Sequence, residues 1–251
     1  MFLFLLILFS IQANARTIEL TNDNFVSLRG SVTSQSINNL INDLIKLKGY
    51  TRYIYLNTNG GSVDAGLKLV NTIKDLDNRN IVVNCIAHTA ISMGFVIFQS
   101  CKGRYVLEHS TLMQHQISLS GVEGQIRNIN SYFKFINNME NKLNKIQANR
   151  IGISLESFEE KIHDDWWLDS EDSIRNNVAD EIVTIYCNFE NSEQEVIVNG
   201  LFGKIKLVYS KCPQISSYIR IKDDNETKDT NINVDINKIF ESNRFIDRLI
   251  Y

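Results

Sequence analysis

Tyr53-Ile54-Tyr55-Leu56-Asn57-Thr58-Asn59-Gly60-Gly61 is the stretch on which the fold turns. Its first four residues form an apolar and aromatic run that reads as a buried strand. The next five end in paired glycines and read as a turn. Residues 62–76 then place Leu67, Val70, Ile73 and Leu76 on one side of a helix. Upstream, Phe25–Leu28 is a short strand followed by Arg29-Gly30, and residues 34–48 repeat apolar side chains at helical spacing, with Ile37, Leu40, Ile41 and Leu44. Downstream, Ile81–Ala87 is the next strand, and Met93–Phe98 is apolar all round, as a buried helix is. Alternating strands and helices predict an α/β fold with mainly parallel strands.

Farther along, Arg104–Leu107 and Thr111–Gln114 read as two short strands. Residues 124–149 carry Ile126, Ile129, Phe133, Ile136, Leu143 and Ile146 at helical spacing, which predicts one long helix with an apolar stripe for the core or a subunit interface. Ser154 caps another helix. The character changes near residue 184. Val196–Val198 and Lys204–Tyr209 flank Asn199-Gly200, a hairpin signal. Residues 223–231 read as a polar loop and Ile236–Leu249 as a short helix.

The chain has 251 residues, 43% hydrophobic and 22% charged, enough for one sizeable α/β domain with a small appendage. Twelve glycines and one proline exclude collagen-like and proline-rich chains. Twenty-six basic residues against twenty-nine acidic ones, with no basic stripe, argue against a nucleic-acid partner. Glycine-rich cofactor fingerprints and CxxC pairs are absent, so neither cofactor nor metal is expected. His163-Asp164 has no further ligands nearby in sequence.

Residues 1–15 read as an export signal: Phe2–Phe9 is apolar throughout, and Ala13-Asn14-Ala15 fits a small-x-small cleavage site. The apolar run falls short of the ~20 residues that cross a bilayer, although an uncleaved tether is the competing reading. The mature chain then begins near Arg16 in a periplasmic or secreted setting. There the four cysteines can form disulfides. Cys187–Cys212 is the preferred pair, because a hairpin between them brings them together. Cys85 and Cys101 read as small buried hydrophobes.

Ser92, His115 and Asp165 are candidates for a nucleophilic triad. Ser92 sits between a strand and an apolar helix, whose N-terminus favours developing negative charge. Serine is a poor nucleophile until a base takes its proton. Imidazole does so near neutral pH, and a carboxylate orients the ring and stabilises its charged form. Acyl transfer also needs amide donors for the oxyanion, and the Gly60-Gly61 segment and the N–H of Met93 offer them. The plain readings stand beside these: Ser92 as a helix cap, Asp164 or Asp165 as an acid at a helix start, His88 and His109 as structural residues, and Trp166-Trp167 packed beneath the long helix.

The motifs around these residues resemble the Clp protease proteolytic subunit family, ClpP, of the ClpP/crotonase superfamily, from about Val26 to Val183. Asn57–Gly61 is similar to the family's oxyanion segment, Ile91-Ser92-Met93-Gly94 to its nucleophile box, and Met113-Gln114-His115-Gln116 to its histidine strand. Gly124-Gln125 opens a helix resembling the handle helix. Asp165-Trp166-Trp167-Leu168 resembles the aspartate segment, and Asn177–Val183 the closing one. The resemblance implies repeated β-α units with a long handle helix. It makes Ser92 the nucleophile, His115 the general base and acid, and Asp165 the orienting carboxylate, with the N–H groups of Gly61 and Met93 as the oxyanion hole. It implies peptide-bond hydrolysis through an acyl-enzyme, inside a heptameric ring or stacked rings. The chain departs from the family pattern at Asn59 and Ile117, where proline is usual, at His88, where a small residue is usual, and at Ile91, where alanine is usual and the larger side chain is expected to narrow the pocket.

The expected organisation is therefore a signal peptide at 1–15, a ClpP-like serine peptidase domain at 16–184 and an extension with a β-hairpin at 185–251. Peptides or unfolded proteins are the expected substrates. An ATPase partner is not expected outside the cytosol, where ATP is lacking. The alternatives are an inactive scaffold on the same fold, a signal-peptide-peptidase-like enzyme with a serine–lysine pair, and acyl-CoA chemistry on a crotonase fold.

Overall fold

The computed structural model describes residues 15–188, 193–200, 203–215 and 218–223. Most of the stretch expected as an export signal (1–14), most of the polar loop expected at 223–231 (224–231) and the helix expected at Ile236–Leu249 lie outside these residues.

The body is a mainly parallel α/β sheet with its helices packed on the larger core. Strands β1 (Arg16–Leu20), β2 (Phe25–Arg29), β3 (Thr51–Thr58), β4 (Val82–Ile91), β5 (Arg104–Gln114) and β7 (Glu181–Cys187) lie in the order β1-β7-β5-β4-β3-β2. Every neighbouring pair in that order is parallel. The short β6 (Trp166–Leu168) adds antiparallel to the end of β5. Parallel strands need crossovers, which α1 (Ser34–Lys46), α2 (Val63–Asn78) and α3 (Met93–Ser100) supply. Each helix starts where the sequence gives the means: Thr33 and Ser36 form a reciprocal capping box on α1, and the Ser62 hydroxyl accepts from the Ala65 N–H on α2.

The larger core lies between the sheet and these helices. Leu28, Ile54, Leu56, Leu69, Phe95 and Phe98 are almost fully buried there. A smaller cluster on the other face, including Ile18, Leu20, Tyr55, Ile86 and Val183, is built largely by the outer strands. The long helix α4 (Ile126–Ile151) buries Ile136 in its first half and packs mainly through its C-terminal half, at Leu143, Ala148 and Ile151. Its first half projects with Ile126, Phe133 and Phe135 exposed, so the stripe expected at 126–146 divides into a buried and an open part. Gly152 ends the helix at φ 87°, a left-handed cap suited to glycine. Helices α5 (Leu155–Lys161) and α6 (Ser170–Arg175) flank β6.

The structure corrects several expectations. The strands read at 104–107 and 111–114 are one strand with an irregularity: the partners of Ala87 and Thr89 jump from Val106 to Thr111. Ser110 staples the irregularity by donating to the Ala87 carbonyl at 2.6 Å, a polar device that breaks the apolar pattern without ending the strand. The alternation Ile18, Leu20 across Arg16–Leu20 makes β1, which pairs along β7. That pairing carries the main sheet to Cys187, so the boundary expected at 184/185 falls within β7. Cys85 and Cys101 are bonded to each other, so they are not merely small buried hydrophobes, and Cys187 is bonded to Cys212.

Among the described residues the C-terminal part holds three strands where a hairpin was expected: β8 (Glu193–Gly200), β9 (Gly203–Ser210) and β10 (Tyr218–Asp223), antiparallel in the order β10-β9-β8. Gly200 pairs with Gly203, so Asn199-Gly200 is the end of β8 and not the turn. This sheet is tied to the body by the Cys187–Cys212 bond and by Arg29, whose guanidinium donates to the Cys212 and Ile215 carbonyls, each at 3.1 Å.

Candidate active site

The sheet's register places the candidate residues in a row at the carboxyl ends of its strands, where parallel α/β sheets bind ligands. Thr58 pairs with Ala90, so two residues on Gly60 stands beside Ser92. Ile91 pairs with Met113, and the Ser92 N–H donates to the Met113 carbonyl at 2.9 Å, which brings Ser92 to the end of β5 where His115 follows. β6 pairs Gln114 with Trp166, so the register continued by one residue sets Asp165 opposite His115. Asp164 falls one step out of that register, and the two acids are thereby distinguished by position.

Ser92 has φ 55° and ψ −119°. A non-glycine residue with that backbone is strained, as serines on sharp strand-to-helix turns are. The Ser92 side chain makes no capping bond to α3, so the helix-cap reading has no support in the geometry. Gly60 explains how the turn is accommodated: a Cβ on Gly60 would stand 2.6 Å from the Ile91 carbonyl oxygen and 2.7 Å from the Ser92 Cβ. Gly94 in the next turn lies as close to Thr58, and Gly66 of α2 takes the Met93 side chain where a Cβ would be. These glycines let the nucleophile segment sit directly against β3 and α2.

The candidate oxyanion donors follow from the same turn. Gly61 forms an isolated parallel bridge with Val32, through Val32 N–H to Gly60 O and Ser62 N–H to Val32 O, each 2.8 Å. In that pattern the Gly61 N–H points away from Val32 and is free for a ligand. Its φ of 143° and the 2.5 Å approach of Val32 O to its would-be Cβ both require glycine. The Met93 N–H opens α3, where no preceding turn supplies an acceptor. Gly61, Ser92, Met93 and His115 line one cavity together.

A second cavity, against the first, is lined by His115, Asp164, Asp165, His163 and Trp167. His115 is thus part of the shared wall between Ser92 and the two aspartates. Among the described residues no hydrogen bond joins Ser92 to His115 or His115 to Asp165, and Asp165 is exposed. Catalytic contacts of this kind tighten when substrate is bound. His88 and His109 are exposed and away from both cavities; His88 Nδ1 meets the Thr89 hydroxyl at 3.1 Å. The tryptophans divide: Trp166 packs against Phe95 and Phe158, while Trp167 is 54% exposed and faces the second cavity. Ile91 lines neither cavity, so it does not narrow the site, whereas Ile117 lines both.

Three groups around the site escaped the sequence reading. Glu140 of α4 accepts the Ile117 N–H at 2.6 Å and holds the segment after His115. Gln114 and Gln147, 4% and 1% exposed, join at 2.7 Å beneath the site, and Gln114 also accepts the His115 N–H at 3.2 Å. Arg104, 2% exposed, binds Asp180, Gln99 and the Asn177 carbonyl behind the site. Burial pushes the Asp180 carboxyl upward, but hydrogen bonds from Arg104 and the charges of Arg104 and Arg150 outweigh it and hold the group below its ordinary range. Polar residues on otherwise apolar helix and strand faces were the available signal for all three.

Among the described residues no group of three or more His, Cys, Asp or Glu is arranged to hold a metal ion. The arrangement offers a strained serine, an adjacent imidazole, a carboxylate in register with it and two amide donors, which is the equipment of acyl transfer. The model of the Clp protease family matches residues 11–185, which include every element of this row. The chain therefore belongs to the Clp protease family, whose members are peptidases that assemble as oligomeric rings.

Proposed function

We propose that the protein is a serine endopeptidase in which Ser92 attacks the scissile carbonyl, His115 takes the serine proton and later gives it to the leaving amine, and Asp165 orients His115. The N–H groups of Gly61 and Met93 receive the charge that develops on the carbonyl oxygen. The acyl-enzyme on Ser92 is then hydrolysed by water that His115 activates. The observation that carries this reading is the cross-strand row: Gly60 beside Ser92, Ser92 bonded to Met113, and Asp165 opposite His115. Neither cavity at the site is lined by a lysine, which favours the histidine triad over a serine–lysine pair.

The substrates on this reading are peptides or unfolded chains, cleaved within a homo-oligomeric ring or stacked rings. The setting is outside the cytosol, without an ATPase. Its support is the apolar N-terminal run with its small-x-small site, together with two disulfides, which persist in oxidising compartments. Hydrolysis of an unfolded protein such as reduced casein, followed by mass spectrometry of the products, tests the activity. The mature chain is expected to release peptides, and Ser92→Ala and His115→Ala to release none; equal release by Ser92→Ala would refute the assignment.

A further inference from the structure

The cavity beside Ser92 and the two oxyanion donors is the place for the side chain that precedes the scissile bond, because no other part of the substrate lies against both. Its volume is about 60 Å³, which admits a slender side chain more readily than a bulky ring. Its walls are apolar at Val63, Met93, Val96 and Leu143, and its floor is polar at Gln147 and Asn144, both buried. At its edge stands the Glu140 carboxylate, one oxygen of which holds the Ile117 N–H while the other has no bond within the protein. The lining contains that carboxylate and no lysine or arginine. Among the described residues Glu140 has no ion-pair partner on its own helix or on the segments packed against it.

An unbranched apolar stem ending in a cation matches this combination. The methylenes of lysine pack along the aliphatic walls, and its ammonium pairs with the free carboxylate oxygen of Glu140 at the edge. A purely aliphatic side chain would cover the second Glu140 oxygen without offering it a donor, which carries a penalty. We infer that the site selects a basic residue, lysine above all, immediately before the cleaved bond, with Glu140 as the specificity-determining residue. This rests on the serine-peptidase reading above.

Mass spectrometry of the fragments from a mixed peptide library, together with kcat/KM for matched substrates differing only in that residue, tests it. Wild-type protein is expected to cut after Lys and Arg at least about tenfold more efficiently than after Leu. Glu140→Gln, which can still accept the Ile117 N–H, is expected to lose most of that preference, read as the ratio of kcat/KM after Lys to that after Leu. Wild-type cleavage mainly after Leu, Met or Phe, or an unchanged preference in Glu140→Gln, would overturn the inference and leave the peptidase intact. Cleavage of no library member would overturn the peptidase reading as well.

Discussion

The two halves of the catalytic row are built in opposite ways. The Ser92 half is closely packed and over-determined: glycines at 60, 66 and 94 admit close contacts, and the Cys85–Cys101 bond ties β4 before the serine to the end of α3 after it. The His115 and Asp165 half is open. Asp165 is exposed, Trp167 is 54% exposed, and the stretch from Gln116 to Gln125 is held chiefly by one bond to Glu140. The difference teaches where precision is stored. The strained Ser92 turn is fixed by packing, whereas His115 and Asp165 are placed by register alone; on the proposed mechanism they close on Ser92 when substrate binds.

Breaking the open half has the largest expected effect on rate. His115→Ala is expected to lower kcat by about 10⁴-fold or more, with Asp165→Ala next and Asp164→Ala near wild type. Steady-state hydrolysis of one peptide substrate ranks the three; equal losses in Asp164→Ala and Asp165→Ala would contradict the register argument. Gly60→Ala strikes the packed half, where the new methyl meets the Ile91 carbonyl and Ser92 Cβ. It is expected to cost about 1–3 kcal/mol of stability and most of the activity. Gly121→Ala, in open space on the other half at φ 65°, is expected to cost about 1 kcal/mol and leave kcat unchanged. Denaturant melts and kcat for the two variants sharpen the contrast directly.

Replacing Cys85 and Cys101 by alanine opens a link of 16 residues and is expected to cost about 3 kcal/mol, read as a fall in denaturation midpoint. The same change at Cys187 and Cys212 is expected to leave kcat unchanged, because neither residue lines the site. The smallest effect is with pH. The Asp180 carboxyl is held below its ordinary value in the folded chain, so its contribution is complete above the unfolded value of about 4 and is lost as pH falls through the folded one. Asp180→Asn should therefore flatten the acid limb of stability against pH.

Much of this was readable in the residues. The strand, glycine turn and helix at 53–76 and the apolar run after Ser92 announce the parallel sheet, and their alternation is local. The candidate groups Ser92 and His115 could be singled out because one starts a helix and the other follows a strand, where sequence signals are strongest, whereas Asp165 precedes the short strand β6. The pairing of Cys85 with Cys101 was hidden, since both lie in apolar runs that equally describe buried thiols. The single strand across Arg104–Gln114 was hidden because Ser110 satisfies its irregularity through the Ala87 carbonyl, a contact between distant residues. Glu140, Gln114 and Gln147 escaped because their roles exist only once α4 lies across the end of β5.

The central claim is that the Ser92 hydroxyl is the reacting group. A fluorophosphonate probe added to the assembled protein, with the adduct located by peptide mass spectrometry, tests it most directly. The account predicts one adduct per chain, on Ser92, absent from Ser92→Ala and strongly slowed in His115→Ala. An adduct on another residue, or undiminished labelling of Ser92→Ala, would contradict it.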